Sequence, residues 1–133
     1  MSEKHIWAVR GAEVLVKAGL DFSANAALGS ALLCCSGAQL VEPADSYDLP
    51  PHAGRPDRDG RALLYPKNAV APDGWEWRPL RAAVMALPDD AWRPAARAMA
   101  YLNWRAATRF CGRCGGKNSD KDDEPARVCS ACG

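Results

Sequence analysis

Four cysteines in two identical spacings constrain this chain more than any other feature. Cys111-Gly-Arg-Cys114 and Cys129-Ser-Ala-Cys132 are each C-x2-C followed by glycine, and fourteen residues separate them. Two cysteines three positions apart on a tight turn present their sulfurs at adjacent corners of a tetrahedron, and a second such turn supplies the other two corners. Zn²⁺ takes four thiolates in that arrangement, at about 2.3 Å. Backbone N–H groups in each turn then donate to the thiolates, and the glycine after each pair permits the unusual backbone conformation. All four ligands are protein groups, which leaves no open position for water. The expected site is therefore a structural zinc on Cys111, Cys114, Cys129 and Cys132, not a catalytic one. A 24-residue unit, 110–133, is too small to fold by apolar burial alone, so metal binding would supply its folding free energy. A disulfide frame and a redox C-x-x-C are the alternatives. A reducing compartment disfavours the first, and the lack of a βαβ pattern around either pair disfavours the second.

The rest of the chain is 109 residues with a thin supply of core side chains. Leu, Ile, Val and Phe number 22 of 133, while alanine alone numbers 25. With high net charge such a composition signals disorder, but 17 basic and 16 acidic residues nearly cancel, and five Trp add bulk. A folded domain is expected, supported by a metal or a partner. No run of 18 apolar residues occurs, so no transmembrane helix is expected. The opening MSEKHIWAVR has no apolar core segment of a secretory signal, which makes the cytoplasm the expected compartment.

Local pattern predicts an α+β domain. Ile6 to Val9 and Val14 to Val16 read as strands about a turn at Arg10-Gly11. Ser23 to Cys35 reads as a helix capped by Ser23, or as a helix followed by a strand. Glu42 to Arg61, with four prolines, reads as an exposed loop. RALLYP reads as a strand, and Trp75-Glu76-Trp77 as another with one aromatic face. A helix over Leu80 to Leu87 stops before Pro88. A second starts at an N-cap on Asp89 or Asp90 and runs to about Thr108, with Trp92, Ala95, Met99, Leu102 and Ala106 as its apolar stripe. Proline is tolerated in a first turn, so Pro94 argues for a start nearer Trp92.

The stretch from Arg78 to Gly115 joins an alanine-rich helix to the first cysteine pair, with Trp104 six residues before Phe110 and Phe110-Cys111 entering the turn. With Cys129-Ser-Ala-Cys132-Gly as the second turn, it resembles the junction found in bacterial NADH pyrophosphatases of the Nudix superfamily. The resemblance extends from Arg61 onward and touches the first 60 residues only in general character. It implies a small degenerate Nudix-like mixed domain, residues 1–109, followed by a four-cysteine zinc ribbon, residues 110–133. Family members continue into a catalytic Nudix domain whose clustered glutamates hold Mg²⁺ or Mn²⁺ against the pyrophosphate of NADH, NAD⁺ or NAD-capped RNA. They typically act as homodimers. Here the sequence ends at Gly133, and its five glutamates (3, 13, 42, 76 and 124) include no adjacent pair. The expectation is a fragment of a longer enzyme or a non-catalytic relative, serving dimerisation and substrate positioning.

A different class of function rests on charge. Residues 61–114 hold nine basic and four acidic side chains. Arg93 and Arg97 are four apart, as are Arg105 and Arg109, so each pair shares a helix face. Those faces suit a standalone zinc-ribbon module binding nucleic acid, or a solvated surface whose long stems cover apolar area. Trp75 and Trp77 suit either a core or a stacking platform, and Trp104 a wedge between helix and ribbon. The acidic run Asp120, Asp122, Asp123 and Glu124 reads as a solvated hairpin tip, with a second metal site as the alternative that its spacing, unlike an EF-hand loop's, does not favour. Cys34 and Cys35 lack metal spacing and read as buried inert thiols, and His5 and His52 have no partner at a catalytic spacing, so no catalytic residue is assigned.

Overall fold

A computed structural model describes residues 5–22, 33–35, 38–50, 60–121 and 124–132. The first two runs form the expected hairpin, β1 His5–Arg10 and β2 Glu13–Lys17, closed by the two-residue loop Gly11-Ala12. Gly11 sits at φ 61°, a conformation that a side chain would oppose. Arg10 donates to Glu13 across the turn and to the Ala69 carbonyl beyond it.

Strands β3 Asp45–Asp48, β4 Gly60–Tyr65 and β5 Trp75–Pro79 complete a five-stranded sheet in the order β3-β4-β1-β2-β5. Only β1 and β4 run parallel. Strand β3 overturns the loop expected over Glu42 to Arg61. Its sequence, Asp-Ser-Tyr-Asp, has no apolar run to signal a strand, and pairing to β4 supplies what propensity does not. Residues 51–59 of that segment, His52 among them, lie outside the described residues, as do 23–32 of the helix expected over Ser23 to Cys35, whose described end, 33–35, forms neither α-helix nor strand.

Alternation along the strands divides the core between two faces. Trp7, Val9, Val14, Val16 and Ala62 face two helices. Ala8, Leu15, Leu63 and Tyr65 face the other way, under Cys35, Leu40, Trp75 and Trp77. Trp77 packs 5.9 Å from the Tyr65 ring with Arg10 5.0 Å above it, so the tryptophan pair of β5 belongs to this core. Cys35 is fully buried there, donates to the Ile6 carbonyl, and has its thiol pushed up to about 12 by desolvation.

The helices are α1 Leu80–Ala86 and α2 Asp89–Ala107. The N-cap of α2 is Pro88, with no side-chain cap bond, so neither Asp89 nor Asp90 caps it. Both aspartates instead occupy the first turn, where the helix dipole favours negative charge. Pro94 lies inside the helix and the start is not moved to Trp92. Pro94 is almost fully buried, so the burial of its ring offsets the backbone bond it removes. The buried stripe of α2 is Ala91, Pro94, Ala95, Ala98, Met99, Leu102 and Arg105, whereas Ala106 is exposed and Trp92 half-buried. The alanines explain how so few large apolar residues suffice, because they let the helix approach the sheet closely. No helix among the described residues is long and apolar enough to cross a membrane.

Candidate metal centre

The end of α2 leads directly into the cysteine module. After the C-cap Thr108, Phe110 bridges to Lys117 and the chain turns through the first knuckle into β6 Asn118–Asp120. Strand β7 Arg127–Cys129 returns antiparallel and delivers the second knuckle. The turn at Cys111 is closed by two backbone bonds, Gly115 N–H to the Cys111 carbonyl (2.9 Å) and Cys111 N–H to the Gly116 carbonyl (2.7 Å). Gly115, at φ 74°, takes the positive-φ conformation expected after the first pair; Gly133 lies outside the described residues.

The four sulfurs of Cys111, Cys114, Cys129 and Cys132 converge, all within 4.8 Å of one another. Cys114 Sγ lies 3.4 Å from Cys129 Sγ and 3.8 Å from Cys132 Sγ, and Cys111 Sγ lies 3.7 Å from Cys132 Sγ. A tetrahedron with metal–sulfur bonds of about 2.3 Å has edges of about 3.8 Å, so these separations suit a shared tetrahedral ion. They are far beyond a disulfide bond, and all six cysteines are free thiols.

Backbone donors surround the sulfurs. Arg113 N–H points at Cys111 Sγ, Gly116 N–H at Cys114 Sγ, and Ala131 and Cys132 N–H at Cys129 Sγ, each at 3.4 Å. The donors from Cys132 and Ala131 hold the Cys129 thiol down to about 6, and those from Cys114 and Arg113 lower Cys111. Cys132, sharing hydrogen bonds with Cys129 and its neighbours, is pushed up to about 12. Four thiols this close cannot all ionise beside one another without a cation, and a divalent ion removes that conflict. The donor set therefore fits a structural Zn²⁺.

Some side chains singled out by spacing are committed elsewhere. Arg105 is only 9% exposed and does not share an open face with Arg109, which stays exposed. Its Nε and Nη2 meet both oxygens of Asp45 at 2.8 and 3.1 Å, and Nη1 meets Asp120 Oδ1 at 2.6 Å. Arg127 also donates to Asp120, at 2.7 Å. Asp120 is thus an ion-pair partner, not part of a free solvated tip, while Asp122 and Asp123 are outside the described residues. Arg97 donates to the Pro50 carbonyl and lies over Tyr101, and Arg93 pairs weakly with Asp89 at 3.4 Å. Trp104 stacks edge-on to Tyr101 and, with Ala100 and Pro125, lines an open cleft of about 260 Å³ beside the ribbon. His5 stands 5.6 Å from the Trp7 ring on β1. Sequence spacing had no means of finding the Arg105 cluster, because Asp45 and Arg105 are 60 residues apart.

Residues 106–133 match the family pattern of the NADH pyrophosphatase zinc ribbon domain. The chain is also similar to the NAD-capped RNA hydrolase NudC of Chromobacterium violaceum, 38% identical over 58 residues, or 44% of this chain and 22% of that protein. The chain therefore spans about a fifth of that relative's length in the matched region. No solved structure matches the chain. The stretch that follows α2 is thus similar in sequence to the NADH pyrophosphatase zinc ribbon, and its four cysteines lie close enough to share one metal ion.

Proposed function

We propose that this chain is the non-catalytic N-terminal and zinc-ribbon portion of an NADH/NAD pyrophosphatase-like Nudix protein. In this reading residues 1–109 are a degenerate Nudix-like domain and residues 110–133 the ribbon, with Cys111, Cys114, Cys129 and Cys132 as ligands of one structural Zn²⁺. The observation that supports it best is the convergence of those four sulfurs within 4.8 Å, in a stretch that matches the pyrophosphatase ribbon. When bound, the ion neutralises the thiolates and stabilises a hairpin too short to hold itself.

The role is support. The chain contributes to a homodimer and positions NAD(H) or NAD-capped RNA for a catalytic Nudix domain, where Mg²⁺ or Mn²⁺ acts on the pyrophosphate. Its own glutamates include no adjacent pair, so cleavage is assigned outside these 133 residues. A reducing cytoplasm suits six free thiols.

The test joins elemental analysis and native mass with an NADH hydrolysis assay on the purified chain. One zinc per chain, lost in Cys111→Ser and Cys129→Ser, a dimeric mass and no hydrolysis are expected. Reduced protein that binds no zinc would sink the metal assignment. A monomer would remove the dimer role, and hydrolysis that co-purifies with the chain would overturn the non-catalytic reading.

A further inference from the structure

The ribbon is tied to the rest of the molecule by a charged cluster whose members come from four elements. Arg105 on α2 is nearly buried and holds Asp45 at the start of β3 through both carboxylate oxygens. The same guanidinium reaches Asp120 on β6, and Asp120 is held from its other side by Arg127 on β7. The Tyr47 ring of β3 lies 4.6 Å beneath the Arg105 guanidinium. Among the described residues strand β3 is the edge of the main sheet and pairs with β4 alone, so this cluster and the Tyr47–Tyr101 ring contact are what fasten it to α2.

The ribbon end of the cluster is joined to the cysteine site through the hairpin ladder. Asp120 is register partner to Arg127, and Asn118 to the ligand Cys129. Asn118 N–H donates to the Arg109 carbonyl and its side-chain amide to the Thr108 carbonyl, anchoring the same strand to the end of α2. Three ladder pairs make a hairpin too small to persist without the metal that closes its ends.

We propose that Arg105 couples the four-cysteine site to the edge of the main sheet, so that removing the metal frees Asp120, loosens Arg105 and lets β3 open. The inference rests on the zinc reading above. It makes the ribbon a determinant of the sheet's integrity, not merely an appended module. Metal loss would reach β3 through one ion-pair relay.

Hydrogen exchange on the full reduced chain at neutral pH, with and without a zinc chelator, tests this. The amides to follow are Ala44 and Leu49, which flank β3 and donate to Leu64 and Gly60. On chelation their exchange should accelerate about tenfold in the wild type, the scale of losing a charge-assisted hydrogen bond. Asp120→Asn removes the charge that Arg105 holds in the ribbon and leaves the cysteines in place, so Ala44 and Leu49 should already exchange faster than in the wild type while zinc is bound. It should still bind one zinc, and chelation should then change β3 exchange much less than in the wild type. Asp48→Asn, which weakens the exposed Asp48–Arg61 pair between β3 and β4, should leave the response to chelation intact. Zinc that leaves without any change at Ala44 and Leu49 refutes the coupling. So does an Asp120→Asn protein that responds like the wild type. A chain that holds no zinc at the outset overturns the metal reading itself, and this inference with it.

Discussion

Arg105→Met should destabilise the folded chain by about 2 kcal/mol, a value set by the exposure of its partners as much as by its own burial. The Arg105 side chain is 10% exposed, whereas Asp45 is 31% and Asp120 43% exposed. Methionine fills much of the same volume with apolar atoms and strands no charge in the interior. The two carboxylates it abandons recover hydration at the surface, and Asp120 keeps Arg127. That moderates the 3–5 kcal/mol typical of breaking a buried pair. The reverse perturbation differs in kind. Asp45→Ala with Asp120→Ala leaves the guanidinium buried without a carboxylate, and should cost about 3–5 kcal/mol. The ordering is therefore the sharper test: removing two partly exposed acids should cost more than removing one buried base. Urea unfolding of the zinc-loaded proteins, followed by tryptophan fluorescence, reads both variants, with the slope checked for constancy. Equal midpoints for Arg105→Met and wild type, or an acid double variant milder than Arg105→Met, would refute the account of this cluster.

The other expectations concern the core and the acid limb of stability. Leu102→Ala, at a fully buried position between α2 and the sheet, should cost about 2–5 kcal/mol, read from the same urea curves; alanine neighbours cannot collapse to fill the space. Asp120 has its carboxyl held below its ordinary value of 3.8, first by Arg105 and then by Arg127. A depressed folded-state value contributes stability above the unfolded value and loses it as pH falls through the folded one. The stability gap between wild type and Asp120→Asn should therefore be full near neutrality and shrink below about pH 4. A gap that stays constant under acid would show that Asp120 acts by shape alone.

Much of this architecture is written in local pattern. The β1–β2 hairpin follows from two β-branched runs about a glycine, and α2 from its helical stripe. The ribbon follows from spacing alone, since three-residue separations on tight turns bring sulfurs together whatever surrounds them. Strand β3 was illegible because Asp-Ser-Tyr-Asp offers neither alternation nor β-branched residues, and only its neighbour β4 makes it a strand. The start of α2 escapes local rules for a related reason. The rule against interior proline weighs one backbone bond, whereas Pro94 is almost fully buried in the folded chain, a contribution no local rule contains.

The charged residues separate the two kinds of information most clearly. Arg105 and Arg109 are four residues apart, but α2 ends at Ala107, so Arg109 lies past the helix and exposed while Arg105 is buried on the helix and holds Asp45. By itself the sequence determined the cluster of four cysteines, the hairpin and the two helices before it, because those depend on residues a few positions apart. Which arginine is buried, which aspartates it holds and how the ribbon is fastened to the sheet were decided by tertiary structure. Those pairings join residues 15 and 60 positions apart, and only the folded chain brings them within hydrogen-bond reach.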